Sequence, residues 1–192
     1  MLGNAEIESL FTREGRYLCA RWGRPLAPVI FGLADESLPV FREATYAVAR
    51  HAGLGVTDTD PEMGANMMSF FLRDWSELAS VPDLDLLTGQ PGLPERLASG
   101  SADQYRLFRF DPDGAIRACL SFVNMGGALA RAHPGQLAEL LAVRAMLTFA
   151  RDVQPSAELA RLIRAAYDPV LPPVARDASH ALRLAARLAR PE

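Results

Sequence analysis

The sequence predicts an α+β fold: a small mixed sheet with a hairpin, a central helix and a helical C-terminal part. Three observations point there. Two β-prone runs flank an Asp111–Pro112–Asp113–Gly114 turn. Capped apolar stripes at helical spacing fill the chain after Gly126. The 192 residues are 49% hydrophobic, yet no apolar run approaches the ~18–20 residues that span a bilayer. A chain of this length and composition buries one core without staples, so a single domain over 1–192 is expected. It divides into a mixed part over 1–125 and a helical part over 126–192.

Glu6–Phe11 reads as a short opening helix, and Arg16–Trp22 follows it. Val29, Ile30 and Phe31 form a strand ended by Gly32. Asp35 or Ser37 caps the next helix, and Pro39 sits in its first turn, where a missing N–H costs little. Val40, Phe41, Ala44, Val48 and Ala52 make its stripe, and Gly53 stops it. Asn66–Leu72, a Met and Phe run, reads as a buried strand. Pro82, Pro91 and Pro94 cut Ser76–Ser99 into short helical turns.

Tyr105–Phe110 and Ala115–Met125 are the arms of an antiparallel hairpin, with Pro setting φ in the turn and Gly114 supplying φ > 0. Gly126–Gly127 hands strand over to helix. His133–Pro134 opens a helix running from about Leu137 to Phe149, with Leu137, Leu140, Leu141, Arg144 and Thr148 on one stripe. That helix should be central and buried on its Leu140/Leu141 side. Leu159, Leu162, Ile163 and Ala166 follow at helical spacing until Asp168–Pro169. After Pro172–Pro173, Asp177 caps a last helix carrying Leu182, Ala185, Leu188 and Ala189. Arg176, Arg183, Arg187 and Arg190 form its solvated basic side.

Much chemistry is excluded by composition. All twenty basic residues are arginine, so neither a Schiff-base lysine nor a P-loop lysine exists. The net charge of −3 argues against a nucleic-acid partner. His51, His133 and His180 are isolated, and no HExxH, CxxC, GxSxG or GxGxxG occurs. No metal and no cofactor is expected. Asp58, Asp60 and Glu62 fail the EF-hand spacing and read as a solvated acidic loop. Cys19 and Cys119 sit in apolar, strand-like contexts. Two buried free thiols are expected, with pairing in an oxidising compartment left open. The N-terminal charges lack the order of a secretory signal, so the chain reads as cytoplasmic; periplasmic placement follows if Met1 is not the natural start.

Three segments carry a family resemblance: Arg21–Trp22 followed by Pro28–Val29–Ile30, Ala65–Asn66–Met67–Met68–Ser69–Phe70–Phe71, and Ala165–Ala166–Tyr167–Asp168–Pro169–Val170–Leu171. In them the chain resembles a bacterial family of secreted or lipoprotein-like proteins with a zincin-like, metallopeptidase-like core. The order of elements is similar too. The resemblance implies a zincin-like scaffold, in which the helix after the hairpin carries HExxH, with two His binding zinc and a Glu activating water. Here that stretch is Glu139–Leu140–Leu141–Ala142–Val143–Arg144–Ala145–Met146, with one carboxylate and no imidazole. The scaffold is implied without its chemistry.

Two functions remain in view. One is a non-catalytic binding or assembly domain, with an unknown protein partner allowed for. The other is a metal-independent hydrolase with a non-standard site, Glu139 serving as base and Arg144 or Arg151 stabilising an anion.

Overall fold

The computed structural model describes residues 2–189. Helix α1 (Asn4–Phe11) runs into a short hairpin of β1 (Thr12–Arg13) and β2 (Arg16–Tyr17), then β3 (Cys19–Ala20) and β4 (Pro28–Phe31). Helix α2 (Leu38–Ala52) precedes β5 (Met67–Leu72), and α3 (Leu84–Thr88) and α4 (Leu93–Ser99) form the insertion before the hairpin of β6 (Gln104–Phe110) and β7 (Ile116–Asn124). Helices α5 (Pro134–Ala145) and α6 (Ala157–Ala166), strand β8 (Val174–Ala175) and helix α7 (Ser179–Leu188) complete the order. The fold is α+β.

The main sheet has the order β4-β5-β7-β6. Its first three strands are parallel and β6 closes it antiparallel to β7. The hairpin forms as the turn chemistry predicts, with Gly114 at φ 89°. Both faces of the sheet are covered, which explains why β5 reads as a near-continuous apolar run rather than an alternation. Phe70, Leu72, Leu107, Leu120 and Phe122 pack with Trp75, Leu78, Leu93 and Leu97 of the insertion. On the opposite face Phe71 and Val123 meet Phe41 of α2 and Leu137 and Leu141 of α5. Two glycines are fixed by close approach: a Cβ on Gly32 would lie 2.0 Å from the Phe71 carbonyl oxygen, and one on Gly126 2.1 Å from that of Arg73.

Several expectations need correction. The central helix ends at Ala145, not Phe149. Beyond it, tertiary bonds to β3 and its flanks replace helical ones. Leu147 bridges Arg21, and the Thr148 hydroxyl accepts from the Ala20 N–H and donates to the Leu18 carbonyl. The Trp22 Nε1–H and the Tyr167 hydroxyl donate to the Ala145 and Met146 carbonyls at 2.8 and 2.7 Å, satisfying acceptors that a further helical turn would otherwise have used. Leu141 is buried, whereas Leu140 is only half-buried. In α2 the buried stripe is Phe41, Thr45, Ala49 and Ala52, and Val40 is exposed. In α7 it is His180, Ala181 and Leu184, and Leu182 is exposed; each stripe is rotated from the one the apolar residues suggested, because a small or polar residue faces the core. Arg190 lies outside the described residues. The part after Gly126 is not wholly helical, since β8 pairs antiparallel with β3, Cys19 opposite Ala175. No described helix is long and apolar enough to cross a membrane.

Candidate functional site

The end of β1, the outer strand β6 and the C-terminal half of α5 converge with the loop that follows α5. Between them lies a cavity of about 320 Å3. Strand β6 brings Gln104 and Arg106, α5 brings Leu141 and Arg144, β1 brings Arg13, and the loop brings Phe149, Arg151 and Asp152. Period-two alternation sets the strand's contribution. Leu107 faces the insertion, so Gln104, Arg106 and Phe108 take the face toward α5.

Four guanidinium groups therefore line one small cavity, against one carboxylate. Asp152 reaches Arg144 at 3.3 Å, but its side chain is 88% exposed, so the attraction is screened. The rest of the arginine hydrogen bonding goes to neutral acceptors. Arg144 donates to the Val153 carbonyl from Nε and to Gln104 Oε1 from Nη1. Arg106 donates to the Phe149 carbonyl at 3.3 Å and lies over the Phe108 ring, while its buried Nε has no partner among the described residues. Arg13 donates to the Ala150 carbonyl at 3.1 Å. Burial disfavours the charge on Arg106 and Arg144, lowering both from the ordinary guanidinium value, and Arg106 also feels repulsion from Arg144 and Arg13.

The structure brings together Arg144 and Arg151, the two proposed anion-stabilising residues, but it places Glu139 elsewhere. Glu139 is exposed, in the second turn of α5, on a separate groove of about 370 Å3 between α2, α5 and α6. A position five residues along a helix is rotated by more than a third of a turn, so Glu139 and Arg144 cannot share a face. Ser156 and His51 line the same groove as Glu139. They do not form a relay. Ser156 caps α6 by accepting from the Leu159 N–H, and His51 Nε2 meets the Ala160 carbonyl at 2.9 Å. Among the described residues no hydrogen bond joins the three side chains.

The acidic loop is not simply solvated. Asp60 is 4% exposed and organises the turn end of the sheet. Burial opposes its ionisation, but the Glu62 and Met63 N–H groups, the Asn66 amide and Arg24 all donate to it and hold its pKa down at about 2. Arg24 also takes Asp111 at 2.9 Å, and Glu62 takes Arg117 at 2.8 Å. Cys19 and Cys119 are buried free thiols, which burial pushes up to about 12 and about 11 respectively. Such thiols are poor nucleophiles. No three of His, Cys, Asp and Glu converge as a metal-ligand set among the described residues.

Arg13, Arg106, Gln104 and Asp152 were not singled out by sequence. One signal pointed to Arg106: alternation on the hairpin puts it on the face of Phe108, where a charge is out of place. Two resembling segments, Arg21–Trp22 and Ala165–Leu171, do meet in space. Arg21 donates to the Tyr167 and Leu171 carbonyls at 2.9 and 3.1 Å, which gives them a structural role. No family model, curated protein or solved structure matches this chain.

Proposed function

We propose that this chain is a non-catalytic binding domain on a degenerate metallopeptidase-like scaffold, with the arginine-lined cavity as its site. The order strand, helix, strand, insertion, hairpin, helix supports the scaffold. One observation carries the function: four arginines converge where, among the described residues, the one lining carboxylate is exposed Asp152 and the one hydroxyl on the cavity's face of the sheet is Ser121. Among the described residues no imidazole lines the cavity to activate that hydroxyl. Such a site attracts and orients an anionic group.

A panel of peptide, ester and phosphate-ester substrates tests this, alongside ligand-detected NMR against a small-molecule library. The expected result is no turnover and a set of binders lost on Arg106→Met. Turnover abolished by Glu139→Gln would overturn the reading in favour of a hydrolase.

A further inference from the structure

The chemistry of the ligand follows from what the cavity lacks. Elsewhere clustered arginines are tied to carboxylates, as Arg24 is to Asp60 and Asp111, Arg117 to Glu62 and Arg187 to Asp168, while Arg21 and Arg109 stand singly on backbone carbonyls. In the cavity, Arg13, Arg106 and Arg151 have no carboxylate partner among the described residues, and Arg144 has only Asp152. Partly desolvated like charges repel, and water is a poor substitute for a counter-ion there. The guanidinium fork matches planar or tetrahedral oxyanions. Several guanidiniums against one screened carboxylate favour a head carrying more than one negative charge. The remaining wall carries the apolar side chains of Leu141 and Phe149. At about 320 Å3 the cavity lies at the small end of ligand sites, which run from ~300 to ~1,000 Å3.

We infer that the cavity binds a small phosphate monoester, with Arg106 and Arg144 at its base engaging the phosphate and Arg13 and Arg151 closing over it. The ester's apolar or aromatic group lies against Phe149 and Leu141. This rests on the binding-domain reading and names its ligand class. A phosphate monoester carries between ~1.5 and ~2 negative charges at neutral pH, against one for a carboxylate.

Calorimetric titration of the whole chain at fixed ionic strength tests the inference with phenyl phosphate, inorganic phosphate and benzoate as probes. Phenyl phosphate should bind tightest and inorganic phosphate next. Benzoate should be weaker than phenyl phosphate by ~10-fold or more, the worth of one additional charge-assisted contact. Arg106→Met should abolish the response. Arg151→Ala, at an exposed position, should weaken phenyl phosphate binding severalfold with the fold intact, so the test survives if the Arg106 variant misfolds. Benzoate binding as tightly as phenyl phosphate, no heat from either phosphate, or a response indifferent to Arg151→Ala would overturn the inference. If the library yields neutral binders displaced by Arg106→Met while the phosphates stay silent, the ligand class falls and the binding reading stands. Hydrolysis of phenyl phosphate that is lost in Arg106→Met would overturn the binding reading as well.

Discussion

The turn end of the sheet and the cavity beside α5 both gather arginines, and they treat them in opposite ways. At the turn end, Arg24 and Arg117 are tied to Asp60, Glu62 and Asp111, and buried Asp60 has every acceptor position occupied by a neighbour. In the cavity, Arg13, Arg106 and Arg144 lean on backbone carbonyls and one amide, with the single carboxylate in solvent. A satisfied charge cluster serves the fold, and an under-compensated one costs stability and is free to serve a ligand. The proposed site is the under-compensated one, and it is proposed without any catalytic motif.

Four substitutions break or sharpen that contrast. The largest effect is expected at the cavity's apolar wall. Leu141→Ala should cost about 2–5 kcal/mol in chemical denaturation, the usual range for a buried leucine, and Leu140→Ala clearly less, because Leu140 is only half-buried. Next comes the satisfied cluster. Asp60→Ala removes the acceptor of two N–H groups, an amide and a guanidinium, and should cost about 2–3 kcal/mol at pH 7. This effect has a pH signature. The folded-state pKa of about 2 lies below the unfolded carboxylate value of ~3.9, so the stabilisation is complete above pH ~4 and fades as pH falls toward ~2. Denaturation curves of parent and variant should converge in that window; a constant gap would show that Asp60 acts by packing alone.

The under-compensated set should behave otherwise. Arg151→Ala should move the ligand-free stability by no more than about 0.5 kcal/mol, as at an unpartnered surface position. A loss as large as that of Asp60→Ala would erase the distinction between the two regions. The smallest expected effect is at the thiols. With burial holding Cys19 near 12 and Cys119 near 11, a thiol reagent on the native protein at pH 8 should label neither within the time that labels both after denaturation. Fast native labelling of Cys119 would show that the sheet face beside Arg106 opens readily.

The same contrast explains what was legible in sequence. Turn chemistry, caps and apolar spacing are local, so the Asp111–Gly114 hairpin, the buried β5 and the boundary at Gly53 could be read directly. The end of α5 could not, because it is set by Trp22, Tyr167 and β3 across the molecule. The site followed the same rule. Arg144 and Arg151 stood out near the central helix. Arg13 and Arg106 reach them only through the pairing of distant strands, which no spacing of residues records. Asp60 was read as solvated because its partners Arg24 and Asn66 lie in other segments.

The most direct test of the central claim is the response of the arginine side-chain Nε–H signals in a proton–nitrogen NMR spectrum as phosphate is added at constant ionic strength. The account predicts saturable shifts at Arg106 and Arg144, with Arg24 and Arg117 unmoved because their carboxylates already occupy them. Arg24 and Arg117 shifting while Arg106 and Arg144 stay still, or all four drifting together without saturation, would contradict it.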